Sequence, residues 1–495
     1  MTHENRSLTL RPKGKRDGFY KNVIEYGIFG LIIFSPLPAG SVNAWSILVI
    51  ELTVLVLMAA YFLMKSKPRI NSQISSSLRW LKVVFGGFFL FLTVQILPLP
   101  VFIVKLISPN AYQFRAMNSL DIVDAKLLSL SLVPSETFRE GMEILAYVLL
   151  GFLIIRTFTS WQRIRRLFFL LVGVGFFEAF YGLFELQRSN PKILFYPKVF
   201  NQGSATGTFV NQNHFAGYLE MIIPLAIGLI IARIDLFTLA GEKLSAKIVR
   251  MTEKGMLTNL VLTTLIVVMS LAIVLSRSRS GTFLLVFTFI LFSGITFMYF
   301  GKISSQWWKI RRFLQVTFLL IIIVCIYVGV EATIDRFALD QLLSGGRPHY
   351  WGSVMMTIKD FPLVGTGLGS FSSVYPAFAK TRTYALLGHA HNDYFEYMSE
   401  LGIVGILFLF GGVVFIVSKT FLTWYKRRDS EVKGLVLGGL ISIFIIGIHS
   451  FTDFNLHIPA NKLLFTVILT LTYVTAYFRP KSRGERQKQE NDKAK

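Results

Sequence analysis

Residues 390–418 read AHNDYFEYMSELGIVGILFLFGGVVFIVS. The first part is polar and carries His391, Asn392, Asp393, Glu396 and Glu400; nothing after Glu400 is charged. An apolar run of about 20 residues is what a helix needs to cross a bilayer. A long polar loop therefore meets a membrane span here. The stretch sets an imidazole at that boundary, and histidine is the side chain whose charge changes most readily near neutral pH. A titratable group so placed can act on a lipid-linked substrate.

Apolar runs of this kind recur along the chain. Of its 495 residues, 53% are hydrophobic and only 16% are charged, against about 25% charged in soluble domains. Spans are predicted near 22–38, 45–64, 81–98, 141–156, 167–186, 214–233, 257–275, 281–300, 313–330, 395–418, 434–450 and 461–478. The first contains Glu25 and runs into the Pro36–Pro38 turn without a convincing cleavage site, so it reads as an uncleaved anchor. The expected fold class is an all-α polytopic membrane protein with about twelve transmembrane helices.

Lys and Arg orient it. With the amino terminus in the cytosol, the predicted inner segments hold 36 of the 51 Lys and Arg residues. Cytoplasmic loops carry that excess, and both termini are then cytoplasmic. The formal net charge of +23 is thus mostly a topology signal that also suits anionic membrane lipids; it does not call for nucleic acid. The tail at 479–495 has no apolar period and reads as disordered. A single cysteine, Cys325, excludes intrachain disulfides and cysteine-based metal sites.

Two inner segments stand out: an amphipathic stretch at 235–256, and 301–312, where Trp307 and Trp308 beside basic residues form an interfacial anchor pattern. Three outer segments are large: 99–140, 187–213 and 331–394. In the last, Pro348 after Gly345-Gly346 suits a helix first turn. Trp351, Met355 and Ile358 follow at helical spacing, and Asp360-Phe361-Pro362 ends the helix. A second short helix is expected at Ser370–Ala379. The segment reads as a small helical lid between spans nine and ten. Gly365, Gly367 and Gly369 in GTGLGSF read as a turn in that lid, since no strand precedes them as a nucleotide fingerprint needs.

The candidate chemistry lies on the predicted outer side. His391 is read either as a base or proton relay, or as part of a polar cap in which Asn392 or Asp393 caps span ten. Gly402 and Gly405 would let that span pack closely on a neighbour. Glu396 and Glu400 lie deeper, where carboxylates must face protein or water. Arg277 and Arg279, in the short turn LSRSRSGTF, read as headgroup contacts or as phosphate ligands, because the guanidinium fork matches phosphate oxygens. Arg347 stands at a predicted helix start, where free backbone N–H groups also favour anions; its alternative is a surface arginine. Asn211 and Asn213 cap span six or bind sugar hydroxyls. GIHSFTDFNLHIPAN brings His449, Asp453 and His457 to the same face, with an arginine as a candidate partner of Asp453. No HExxH, GxSxG or outer Asp-x-Asp is present, which disfavours a serine hydrolase and metal-assisted transfer.

These residues resemble a known family. His391-Asn392, nine residues, then Gly402-x-x-Gly405 is similar to the signature of bacterial O-antigen ligases and the related Wzy-type polysaccharide polymerases. GRPHYWGSVMMTIKDFPLVGTGLGSF resembles the family's arginine-bearing loop, and Ser278-Arg279-Ser280-Gly281 its Ser-Arg-x-Gly turn. The likeness covers roughly residues 200–460. It implies a GT-C-like membrane glycosyltransferase, with residues 1–21 a cytosolic basic tail, 22–478 the transmembrane domain and 331–394 a periplasmic lid. The implied donor is an undecaprenyl-diphosphate-linked glycan, used at the periplasmic face of the bacterial inner membrane without metal or cofactor. The family's diphosphate-binding arginines carry over to Arg279 and Arg347, with Arg277 as a rival to Arg279. Its essential histidine carries over to His391. Asn211, Asn213, His349, Asn392 and Asp453 are candidate sugar or support contacts.

The implied reaction is inverting. Arginines neutralise the departing diphosphate, and His391 takes the proton of an acceptor hydroxyl. Transfer to lipid A-core sugar (a ligase) and transfer to a second lipid-linked glycan (a polymerase) share this chemistry. A polysaccharide or lipid transporter is the alternative of another class. It is disfavoured by the absence of an obvious repeated half and by polar residues gathered at one face rather than at mid-membrane.

Overall fold

The structure, a computed structural model, describes residues 15–68, 70–118, 125–233, 255–300, 307–328, 347–379 and 387–478. The terminal tails, most of the 235–256 stretch, and residues 331–346 and 380–386 of the predicted lid lie outside the described residues. Those described form sixteen α-helices. The first five are α1 (Lys15–Phe34), α2 (Ala44–Leu63), α3 (Ser72–Ile96), α4 (Val101–Ile107) and α5 (Pro109–Asn118). Next come α6 (Pro134–Thr157), α7 (Trp161–Leu186), α8 (Gln212–Ile231), α9 (Gly255–Leu275), α10 (Arg279–Ile295) and α11 (Trp307–Val328). The last are α12 (Arg347–Asp360), α13 (Phe371–Phe378), α14 (Asp393–Lys426), α15 (Ser430–His449) and α16 (Pro459–Tyr477). Two antiparallel ladders of two residues per strand, Leu99–Pro100 with Leu127–Leu128 and Lys192–Ile193 with Tyr196–Pro197, are the minor departure from an all-helical expectation.

Each of the twelve expected spans coincides with one of these helices. Ten are long and apolar enough to cross a membrane, and the chain is a multi-pass membrane protein. The other two, α1 and α6, have the length but carry more charge: Arg16, Asp17, Lys21 and Glu25 in one, Glu136, Arg139, Glu140, Glu143 and Arg156 in the other. Glu25 is buried and paired with Arg163 at 3.0 Å and Arg166 at 3.1 Å. A charge inside a bundle is tolerated on those terms.

At the centre stands α8, which is buried along its length from His214 to Ile231. It packs most closely on α15, and glycines make that possible. A side chain at Gly434 would press into the backbone of Ala232, and one at Gly438 into the Pro224 carbonyl. Small residues four apart let two membrane helices approach in this way. Ser442 then donates to the Met221 carbonyl at 2.6 Å. This crossing sets the start of α8 beside the end of α15, where the candidate site lies.

The loops sort into two ends, as the alternation of basic and non-basic segments requires. At one end, Thr208 Oγ1 donates to Pro36 O at 2.6 Å, Ala205 N to Leu275 O at 3.0 Å and Asn392 Nδ2 to Phe451 O at 3.0 Å. At the other, Arg163 reaches Asn22 at 3.1 Å and Arg427 reaches the Phe478 carbonyl at 2.7 Å.

Two helices form in the predicted lid, α12 and α13, within a residue or two of the expected ends. The segment between them has a role that periodicity does not disclose. Gly365, Gly367 and Gly369 all have positive φ, which glycine alone adopts without strain. They shape a turn that enters a break in α14 at Gly402 (φ 58°, ψ −173°). The exposed backbone groups pair across it: Ile403 N with Pro362 O at 2.9 Å, Val404 N with Leu363 O at 3.1 Å and Gly367 N with Glu400 O at 2.9 Å. Gly405 does meet a neighbouring helix, against Phe91. Gly402 instead serves the break, a correction to the packing role expected of both.

A Cβ at Gly402 would collide with the Leu363 carbonyl, and its backbone angles alone would cost a side chain about 1–3 kcal/mol. Gly402→Ala is expected to lower the thermal unfolding midpoint of the detergent-solubilised protein by several degrees. An unchanged midpoint would show that the break does not depend on this glycine.

Candidate functional site

The loop between α15 and α16 organises the site. Its Asp453 is fully buried. Asn213 Nδ2 donates to Asp453 Oδ2 at 2.6 Å, and Phe454 N to Oδ1 at 2.9 Å. His391 Nδ1 stands 3.2 Å from the same Oδ1, and His214 Nε2 3.6 Å from it. A carboxylate carries no proton to give, so His391 Nδ1 must be the donor. In the neutral ring with that N–H, the other nitrogen, Nε2, carries the lone pair and faces away from the carboxylate. The His391 side chain is 29% exposed, enough to meet a substrate.

His391 is held at an unusual angle. Its φ is +50°, uncommon for a residue with a side chain. Its neighbours on both sides fix it. Asn392 caps α14, its side chain accepting from Phe395 N at 3.1 Å, so the cap reading of Asn392 is correct and coexists with the histidine's exposure. On the other side, Trp351 of α12 donates its indole N–H to Ala390 O at 3.2 Å and packs edge-on against Phe395. The start of α12 is therefore about one turn from the backbone beside His391. Arg347 and His349 belong to that start; their side chains lie outside the described residues.

A second set of imidazoles and carboxylates adjoins the first. His389 Nδ1 lies 2.7 Å from Glu396 Oε1, and Ala390 N donates to Glu396 Oε2 at 2.8 Å. His457 Nδ1 lies 2.6 Å from Asp393 Oδ1, and its Nε2 3.5 Å from Glu396 Oε1. Phe454 sits among the rings: it stacks on His389 at 4.1 Å and meets His391 at 4.9 Å and His214 at 4.4 Å edge-on. Deeper, His449 Nδ1 is 2.9 Å from Glu220 Oε2. Each of these five histidines thus has a carboxylate beside it.

The arginine turn reaches this cluster through α10. Ser278 caps that helix by accepting from Gly281 N at 3.2 Å, and Arg279 is its first residue. The absence of a side chain at Gly281 admits Ala216 and Glu220 of α8. Ser280 Oγ then lies 2.9 Å from Thr452 Oγ1, next to Asp453. Arg277 has φ +58° and directs its guanidinium towards Gly203. The structure thus gathers His391, Asn213, Asn392, Asp453 and the Arg277–Arg279 turn at one end of the bundle. Asn211 is the cap of α8, accepting from Asn213 N at 2.8 Å, and is one step removed.

His389 was not singled out in the sequence, and neither was Phe454. One signal pointed to the first: six of the seven histidines fall in predicted outer loops or at span ends facing them. Asp453, for which an arginine partner was expected, has among its partners two imidazoles, the Asn213 amide and the Phe454 N–H.

Residues 264–410 match the family described as O-antigen ligase (Wzy_C). The matched segment contains the Arg277–Arg279 turn, Arg347 and the whole His391–Gly405 stretch; it ends before Asp453 and His457. No curated protein matches the chain. The match supports a membrane enzyme of ligase or polymerase type, with a glycosyltransferase-like reaction on lipid-linked glycans.

Burial raises the Asp453 carboxyl, but the hydrogen bonds of His214 and His391 outweigh this and hold it well below the usual range. That stabilisation exists above the ordinary carboxylate range and is lost as pH falls. His457 behaves oppositely. Burial disfavours its charge, but Glu396, then the hydrogen bond and charge of Asp393, and Glu400 raise it to about 9. Its contribution is complete below about 6.5, the ordinary histidine value, and disappears as pH rises through about 9. The unfolding midpoint should accordingly decline between neutral and alkaline pH, and His457→Gln should flatten that decline. An identical alkaline decline in both proteins would contradict a charged His457.

Proposed function

We propose, for a chain whose residues 264–410 match the O-antigen ligase family, that it transfers a glycan from an undecaprenyl-diphosphate carrier to a sugar hydroxyl. The reaction takes place at the outer face of the bacterial inner membrane, with both termini in the cytoplasm. The observation that carries this reading is the His391–Asp453 pair beside the Arg279 turn. It offers a base and a phosphate ligand from separate parts of the chain at one membrane boundary.

The steps follow from the side chains. Asp453 accepts from His391 Nδ1 and orients the ring, so that Nε2 accepts the acceptor hydroxyl's proton. General bases of this kind contribute about 10²- to 10⁴-fold in rate. The acceptor oxygen attacks the anomeric carbon as the bond to the diphosphate breaks, in line and with inversion. Arg279 and Arg347 offset the charge that develops on the diphosphate, and they do so more strongly where water is excluded. Arg279 is preferred over Arg277, because its helix is tied to Thr452 beside Asp453 while Arg277 turns towards Gly203. The segment carrying α12 and α13 serves as the lid. The diphosphate linkage supplies the energy, which suits a compartment without ATP, and neither metal nor cofactor takes part.

The acceptor in this reading is a lipid A-core sugar, the ligase reaction. A polymerase of Wzy type would use a second lipid-linked glycan. A transporter fits poorly, because the ionisable cluster lies at one end of the bundle and not at mid-membrane, where transporter sites are built.

The protein reconstituted with a lipid-diphosphate glycan and either acceptor should form a transfer product, whose length on a gel separates ligase from polymerase. His391→Ala should lower the rate by about 10²- to 10⁴-fold. Arg279→Lys and Arg347→Lys should each lose about 10²-fold or more, since a point charge does not replace the fork. Wild-type transfer by the His391→Ala protein would refute the assignment.

A further inference from the structure

Two of the site's histidine–carboxylate pairs have rings open to solvent, His391–Asp453 and His389–Glu396, and the proposed reaction so far employs one. His389 repeats the arrangement of His391: Nδ1 is held by a carboxylate, here at 2.7 Å, and the side chain is 37% exposed. The carboxylate is buried Glu396. It also accepts from Ala390 N at 2.8 Å, the peptide that separates the two histidines. Glu396 is held in turn. His457 Nε2 stands 3.5 Å from it, with Asp393 2.6 Å from Nδ1 on the far side. Asp393 is itself fixed by Leu456 N at 3.0 Å. So much buried polar structure behind one half-exposed ring is more than solubility needs.

The spacing of the two rings is informative. Their centroids lie 4.1 and 4.9 Å from that of Phe454, so they are at most about 9 Å apart. Inverting glycosidases place their acid and base carboxyl groups about 6.5–9.5 Å apart, on opposite faces of the sugar, and the upper bound for the two imidazoles falls within that range. Both rings rest on Phe454, one stacked on it and one edge-on, so one apolar side chain holds the pair in place. The titratable groups near His389 among the described residues are Glu396 of α14, His457 and His214, with Asp393 behind His457, and the Phe454 ring covers its face.

We infer, resting on the reaction proposed above, that His389 is a second catalytic histidine, which gives its Nε2 proton to the diphosphate oxygen leaving the donor sugar. The bond between the anomeric carbon and that oxygen breaks, and its electron pair goes to the oxygen, where the His389 proton joins it. The acceptor oxygen bonds to the anomeric carbon, and its proton passes to His391 Nε2. His391 ends charged and His389 neutral. Exchange with water restores both, so no oxidant or further reactant is needed. Glu396 is a positioning residue that holds Nδ1.

The test compares pH–rate profiles for transfer by the reconstituted full-length protein. Wild type should lose rate at alkaline pH, as the acid gives up its proton. His389→Gln should lower kcat by about 10- to 100-fold, leave the donor KM within about threefold, and lack that alkaline fall. Added imidazole should restore a part of the rate to His389→Ala, because the side chain it replaces is exposed; thermal unfolding checks that both variants are folded. Unchanged kcat and pH profile in folded His389→Gln would overturn this assignment alone and leave His391 as the base. Absence of transfer by the unsubstituted protein would overturn both readings.

Discussion

Asp453 is a carboxylate with no exposed surface, and the site is arranged around satisfying it. A buried charge is stable only when paired and hydrogen-bonded, and removal of one partner costs about 3–5 kcal/mol. Asp453 therefore draws groups from separate elements: Asn213 and His214 from the start of α8, His391 from the loop before α14, and the amide of Phe454. Each element arrives there by ordinary packing. Glycines bring α15 against α8, Gly281 lets α10 approach α8, and the turn at 361–370 is locked into the break in α14. Electrostatic demand at one carboxylate and close contact between glycine-bearing helices thus determine the same geometry.

The architecture was largely legible in the sequence, because it rests on local signals. Runs of apolar residues locate the helices, and the Lys and Arg asymmetry sorts the loops into two ends. The caps at Asn211 and Asn392 were visible from residue type and position. The site was legible in part. His391 and the Arg277–Arg279 turn stand out as polar residues at span ends. Their partners do not: Asp453 lies 62 residues beyond His391, and no periodicity announces a contact made only when three helices close together. The break at Gly402 was hidden for a similar reason. Glycine in an apolar run reads equally as a packing surface or as a discontinuity, and only the docked turn decides between them.

The family match ends at residue 410, whereas the residues that hold the candidate base lie beyond it. The matched segment contributes the arginine turn, α12 and His391; the α15–α16 loop contributes Asp453, Phe454 and His457. In the proposed reaction, two imidazoles against one phenyl ring, each on its own carboxylate, handle one proton each. That division of labour suits a reaction in which one oxygen loses a proton while another gains negative charge.

The most direct test is an experimental structure of the protein in a lipid nanodisc with undecaprenyl diphosphate bound. The account places the diphosphate beside the Arg279 turn and the start of α12, with His391 Nε2 facing the carbon-bearing side. A diphosphate seated at the opposite end of the bundle, or one out of reach of both histidines, would contradict it.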